Sequence, residues 1–391
     1  GTTPIMATHL HLGAEISVGR LARRSRGAPR SVVIDRARLG AALGGLQVQR
    51  PSPVRPWLEA ARDEGIDALL ASRWRADGES GDTDRNDCEA ILQRASAREL
   101  FLHHQERQAL AAIHDAGIDV LVLKGTALSR WLYEEPRMRP RSDLDLLLRS
   151  RDDFDRCRDA LSRLGYADRD LPVLPPSFER ALRKPVGSGE HCVDVHWRLS
   201  NHPAFADRFS FERLWADRQA LPGLPGSFGL GIVHATIHAC LHRACNLIDA
   251  AGDKLISLHD IALLAHRLSD ADWTALVDEA TVMRVAEPCR HSFSATRTIF
   301  GTPIPDRAMQ SLTNAAKHEP FRMDRAHHPA YRSWWALRTL PWSQRLPWLV
   351  RRLVPEWPYM QAHFGLTHRG QLPWAWVKRL LRLASSAWRR R

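Results

Sequence analysis

The hydrophobic period changes at residue 118, and this change constrains the fold more than any other feature. From Trp57 to His114 apolar residues recur at helical spacing, broken at the polar stretch GESGDTDRND. Ile118 to Leu123 is then a continuous β-rich apolar run, as expected of a short buried strand, and Gly125 ends it. Thr126 to Tyr133 fits two helical turns, and Pro136 and Pro140 mark a rigid loop. Leu144 to Leu148 reads as a second strand led in by Asp143 and Asp145, which share a face because side chains two apart on a strand point the same way. Ser150 can cap a helix from Arg151 to Leu164, which Gly165 would end. His191 to Trp197 reads as a third strand, with Asp194 and His196 on one face. Strand, helix, strand, helix, strand is the order of an α/β layer.

Beyond Phe205 the pattern is helical, with candidates at Gly231 to Ile248, Lys254 to Leu268 and Asp272 to Met283, and no strand is evident beyond those helices. A chain of 391 residues exceeds what one hydrophobic core usually supports. The expected division is a poorly ordered segment at 1–50 with one apolar patch at Ser31 to Ile34, a helical layer at 51–115, an α/β core at 116–205, a helical domain at 206–330 and a tail at 331–391. The net charge of +12 points to an anionic partner. Nearly all of it lies in the tail, where twelve Lys or Arg face one acid, Glu356, among eight of the fourteen tryptophans. Trp334, Trp335, Trp342, Trp348 and Trp357 are expected to pack the helical domain. The amphipathic end, with Val377, Leu380, Leu381, Ala384 and Trp388 on one side, leaves open an anionic nucleic-acid or membrane surface. Six cysteines without a CxxC pair suggest a reducing, cytoplasmic setting, and no apolar run approaches the roughly 18 residues of a membrane span.

The chemistry is carried by carboxylates. Two on one strand face, joined by a third from a neighbouring strand, can hold two divalent ions about 3.5–4 Å apart, a spacing that stabilises the attacking and leaving oxygens of a phosphoryl displacement. Asp143, Asp145 and Asp194 meet that requirement, and oxygen ligands suit Mg2+, with Mn2+ as an alternative. A bare DxD also occurs on ordinary exposed strand ends. Upstream, a strand followed by Lys124-Gly125-Thr126 and a helix offers backbone N–H groups, a positive helix end and an ammonium to phosphates. Glycine in a tight turn would explain Gly125 alone.

At these residues the chain resembles the nucleotidyltransferase superfamily that includes DNA polymerase β and the aminoglycoside nucleotidyltransferases. It is most similar to a bacterial family of uncharacterised nucleotidyltransferases, with a strand ending in Lys-Gly, then Tyr-x-x-Pro-x-x-Arg-Pro-x-x-Asp-x-Asp-Leu-Leu and later Val-Asp-x-His-Trp. Here these stand as LKGTALSRWLYEEPRMRPRSDLDLLL and VDVHWRL. The broader superfamily more often has Gly-Ser where this chain has Lys-Gly. The resemblance implies an α+β fold, a mixed-sheet nucleotidyltransferase core with N-terminal helices and a C-terminal helical domain. It implies transfer of a nucleoside monophosphate from an NTP to an acceptor (a small molecule, a peptide or protein, or RNA) with release of pyrophosphate. Asp143, Asp145 and Asp194 would be catalytic and bind metal. Lys124, Gly125, Thr126 and Arg139 would lie by the nucleotide, with Arg139 as a forked phosphate clamp unless it pairs locally with Glu135.

Two other constellations compete. His234, His238 and His242 repeat every four residues near Cys240 and Cys245, a spacing that admits zinc, but no Glu completes an HExxH and Cys240 points away from the stripe, so a polar stripe facing the cleft is the preferred reading. His259-Asp260 with His238 suggests an HD-type metal phosphohydrolase, unless Asp260 pairs with Arg267 or Lys254 or bonds His238. His196, His238, His242 and Asp260 are therefore read as the acceptor side. A nucleotide- or nucleic-acid-binding module without turnover is the remaining alternative.

Overall fold

The structure, a computed structural model, describes residues 34–44, 51–76, 81–168, 177–249, 252–326 and 328–388. It opens with four helices: α1 (Arg36–Gly44), α2 (Arg55–Asp63), α3 (Asp67–Ala76) and α4 (Asp82–Asp115). Strand β1 (Val120–Val122) leads into α5 (Lys124–Trp131), and a single 3-10 turn at Pro136–Met138 precedes β2 (Asp143–Leu148). Then come α6 (Asp153–Ser162), β3 (Ala167–Asp168), β4 (Glu179–Val186), β5 (Gly189–His196), α7 (Phe211–Ala216), β6 (Gln219–Ala220) and β7 (Phe228–Gly229). The remainder is helical: α8 (Ile232–Ile248), α9 (Leu255–Arg267), α10 (Asp270–Val282), α11 (Ala286–Phe300), α12 (Asp306–Lys317), α13 (Pro329–Thr339), α14 (Trp342–Leu353), α15 (Trp357–Phe364) and α16 (Leu372–Trp388).

The fold is thus α+β with a mixed sheet, as expected. Its strand order is β3-β4-β5-β2-β1-β7-β6. β2 runs parallel to β5 and antiparallel to β1, while β4 and β5 form a hairpin. The hairpin closes through two residues, of which Gly187 is first, with φ +58°, a conformation glycine adopts without a Cβ clash.

Period-two alternation separates the two faces of the sheet. Leu144, Leu146 and Leu148 of β2 and Val193 and Val195 of β5 pack with Leu110 and Ile113 of α4 and Phe154 and Leu161 of α6. Leu147 joins the opposite core, built largely from α8, α9 and α11. Asp143, Asp145, Asp194 and His196 belong by alternation to that second face, so the carboxylates look toward the helices after the sheet.

Several expectations need correction. GESGDTDRND does not break the helical layer throughout: α4 begins at Asp82, and its first turn holds Asp82 and Asp84, acids that favour the positive helix end. β4 escaped sequence reading because its charged residues and Pro185 hide the alternation. β6 and β7 lie between Phe205 and the first of the expected helices, each only two residues long and too short to show a period, and among the described residues no strand follows those helices. The helix after β1 starts at Lys124 rather than Thr126. The reading of 1–50 falls mostly outside the described residues, but Arg36–Gly44 is helical and buries Leu39, Gly40 and Ala42. Of the tail tryptophans, Trp335 packs on the helical core as expected and Trp348 is buried, whereas Trp334 is 41 % and Trp342 82 % exposed.

One buried hub connects α4 to α5 and to the loop that leads into the strand carrying Asp143 and Asp145. Glu106, with no exposed surface, accepts from Arg141 Nε at 2.6 Å and Nη2 at 3.0 Å, from Arg130 at 2.9 Å and from the Thr126 hydroxyl at 3.0 Å. Burial opposes its charge, but Arg141 and Arg130 hold its carboxyl below the usual range. A depressed folded-state pKa contributes stability fully above the unfolded-state value, about 4.3 for Glu, and that contribution is lost as pH falls through the folded-state value. Glu106→Gln should therefore lower unfolding stability at neutral pH by about 3 kcal/mol. The gap to wild type should narrow as the solution is acidified below that range; equal denaturation midpoints at neutral pH would contradict this role.

Candidate active site

The parallel register of β2 and β5 sets Asp145 opposite Asp194 and Asp143 opposite Cys192. One ligand oxygen from each of Asp143, Asp145 and Asp194 lies within 4.8 Å of the others. Among the described residues this is the group of His, Cys, Asp or Glu side chains able to hold a metal ion. Asp145 is almost fully buried. Lys124 Nζ reaches its Oδ1 at 2.6 Å, and His196 Nε2 lies 3.2 Å from the same oxygen. Glu179 Oε2 lies 3.1 Å from Nδ1 on the other side of that imidazole.

Burial works against charge on Asp145, yet Lys124 and His196 hold its carboxyl well below the usual range. Asp194 shifts the other way, pushed up by burial and by repulsion from Asp145 and Asp143. One ionised carboxylate beside a second that resists ionisation, with a third close by, is an all-oxygen set whose repulsion a divalent cation would relieve. The residues therefore fit a hard cation such as Mg2+.

Lys124 is the first residue of α5 and has φ +48°, a left-handed conformation rare for a residue with a Cβ and costing roughly 1–2 kcal/mol. Gly125 follows where a side chain would press on Arg141: a Cβ there would lie 3.1 Å from the Arg141 Cβ. The turn thus combines a strained lysine aimed at Asp145 with a glycine where a side chain would press on Arg141.

A narrow pocket of about 20 Å³, room for about one water molecule, lies beside Lys124. Leu123, Leu128, Trp131 and Leu230 form part of its apolar wall, and Lys124, Arg139, His238, His242, Ser257 and Asp260 supply polar groups. Burial, with Lys124 nearby, pushes the His238 imidazole down to about 3 and His242 well below its ordinary value. Both are neutral near pH 7.

The other expected residues are placed differently. Arg139 does not pair with Glu135; it grips Asp260 with Nε at 2.8 Å and Nη2 at 2.7 Å, and Arg137 takes Glu135. Asp260 in turn accepts from the Tyr133 hydroxyl at 2.6 Å. Its partners are therefore Arg139 and Tyr133 in place of Arg267, Lys254 or His238, and Arg267 donates to the carbonyls of Trp131 and Leu132 instead. The Thr126 hydroxyl is committed to Glu106 and the Asp143 carbonyl, within the core. His234 lies by Asp217 and Glu279, 3.3 Å from each, so the histidine stripe is not one site. Sequence reasoning missed Glu179, on the unread strand β4, as well as Glu106 and Arg141. Tyr133 stood inside the quoted Tyr-x-x-Pro pattern, but its partner lies 127 positions away.

A mixed sheet presenting three clustered carboxylates and a lysine beside a pocket suits phosphoryl-transfer chemistry. The model of a family described as uncharacterised nucleotidyltransferase matches residues 53–301, and the chain belongs to that family. No curated protein and no solved structure matches it. Family membership implies an NTP as substrate.

The left-handed turn predicts an ordering of variants at one position. Lys124→Ala and Lys124→Gly both lose the ion pair, but only glycine relieves the backbone. Lys124→Gly should be more stable than Lys124→Ala by roughly 1 kcal/mol in chemical denaturation. Alanine proving the more stable would show that the turn is not strained.

Proposed function

We propose that the protein transfers a nucleoside monophosphate from an NTP to an acceptor with release of pyrophosphate. The observation that carries this is the oxygen cluster of Asp143, Asp145 and Asp194 with the Lys124 ammonium 2.6 Å from Asp145. Those three aspartates would hold Mg2+, or Mn2+, which when bound neutralises charge building on the transferring phosphoryl group and its leaving oxygen.

The chain's own groups supply the rest. Lys124 offers positive charge to phosphate oxygens at the start of α5, where helix N–H groups also point. Asp194, clustered with the other two aspartates, accepts the proton of the attacking acceptor group. His196, fixed between Asp145 and Glu179, holds Asp145 in place. Arg139, bound to Asp260 and Tyr133, shapes the wall of the pocket, and the neutral His238 and His242 offer hydrogen bonds there without charge. We place the acceptor at the mouth of that pocket, beside Lys124; it is a small molecule, a peptide or protein, or RNA. The six cysteines form no disulfide, which fits a cytoplasmic setting.

Assignment of the metal site to His259 and Asp260, as in an HD-type phosphohydrolase, is disfavoured because Arg139 and Tyr133 already occupy the Asp260 carboxylate. Calorimetry with each NTP, with and without Mg2+, should show binding that depends on the metal. Incubating labelled NTPs with protein, Mg2+ and a cell extract should then transfer label to an acceptor, and Asp143→Asn should lower that transfer roughly a thousand-fold, the effect of losing several kcal/mol of charge stabilisation. Binding without transfer would reduce the protein to a nucleotide-binding module. Absence of NTP binding, or full turnover by Asp143→Asn, would refute the proposal.

A further inference from the structure

Helices on a protein surface normally turn their apolar stripe inward. Two helices of the C-terminal segment do the reverse. On α14, Trp342, Leu346, Leu349, Val350 and Leu353 recur at helical spacing, and their exposures are 82, 70, 39, 53 and 51 %. Trp348, on the other side, is buried. On α16, Trp374, Val377 and Leu381 are 63, 56 and 65 % exposed, whereas Arg379 is 1 % exposed and donates to the Arg352 carbonyl at 2.7 Å. An arginine lies inside and leucines lie outside.

The exposure is local. Of the twelve exposed large apolar side chains among the described residues, ten fall between Trp334 and Leu381. Single exposed apolar residues need no explanation, but a contiguous stripe on a helix marks a surface that something covers.

Charge on the same segment names the occupant. Residues 331–391 carry twelve Lys or Arg and one acid, Glu356, which Arg351 already pairs at 3.1 Å. Basic groups stack on the outward tryptophans: the Arg345 guanidinium lies 3.8 Å from the Trp342 ring centre, and Lys378 Nζ lies 4.6 Å from that of Trp374. A partner that takes up aliphatic side chains between cationic edges and tryptophans is an anionic lipid surface. Single-stranded nucleic acid would need aromatic platforms for its bases, and most of the outward row is Leu and Val, which cannot stack.

We propose that the outward faces of α14 and α16 dock on an anionic lipid bilayer, with the helices lying along it. None of the described helices is long and apolar enough to cross a membrane. This surface is independent of the nucleotidyl-transfer reading, since it shares no residue with the aspartate cluster or the pocket.

The test is co-sedimentation of the full chain with vesicles of phosphatidylcholine alone or mixed with phosphatidylglycerol, between about 50 and about 500 mM salt. Wild type should bind the anionic vesicles about tenfold better than the neutral ones, and more weakly as salt rises. Leu346→Ser with Leu353→Ser, or Val377→Ser with Leu381→Ser, should reduce binding about tenfold without changing charge or the circular dichroism spectrum, because these side chains are already in solvent. Failure of wild type to bind at low salt would overturn the proposal, as would serine variants that bind like wild type, a sign that charge alone acts. A wild-type dimer that the serine variants convert to monomers, with no vesicle bound, would assign the face to a second copy. RNA binding indifferent to the serine variants, again without vesicle binding, would assign the segment to nucleic acid.

Discussion

The register between two parallel strands is the constraint on which the site depends. Asp145 and Asp194 stand opposite each other on β2 and β5, and Asp143 falls two residues before Asp145 on the same face. A slip of one residue would turn all of β2 over, moving both of its carboxylates to the opposite side and Leu144, Leu146 and Leu148 out of the core they share with α4 and α6. Burial of those leucines and of Val193 and Val195 therefore sets the register, and the register sets the carboxylates. Packing on one face of the sheet positions chemistry on the other.

That chemistry is maintained by charges that would be costly to bury singly. Three acidic groups near one another repel, and low local polarity makes this worse. Lys124 and His196 offset part of the repulsion at Asp145, and Lys124 reaches it from a left-handed backbone conformation. Similar pairing recurs one layer away, where Glu106 neutralises Arg141 and Arg130, and again across the pocket, where Asp260 neutralises Arg139. Each pair joins an element before the sheet, or a loop within it, to another element. The site is consequently a junction of α4, α5, the loop before β2 and α9.

Much of this was legible in the sequence because it is local. The apolar run at Ile118–Leu123, the alternation in DLDLLL and the recurrence of Asp194 and His196 in VDVHW each follow from a period of two, and they led to the aspartate cluster that the structure assembles. Partnerships were not legible, because they join residues far apart in the chain. Thr126 looked available to a phosphate and is held by Glu106; Arg139 looked like a clamp or a partner of Glu135 and holds Asp260. β4 was hidden by charged residues on a strand near the sheet's edge, and with it went Glu179 beside His196. The inverted faces of α14 and α16 could not be seen either, since a helical period shows that one face is apolar but not which way it points.

The central claim is that nucleotide and metal meet at Asp143, Asp145 and Asp194. Anomalous diffraction from crystals grown with Mn2+ and a non-hydrolysable NTP addresses it most directly. The account predicts anomalous density among the three carboxylates, with the nucleotide's phosphates lying between them and Lys124. Manganese beside His259 and Asp260, or a nucleotide bound away from the triad, would contradict it.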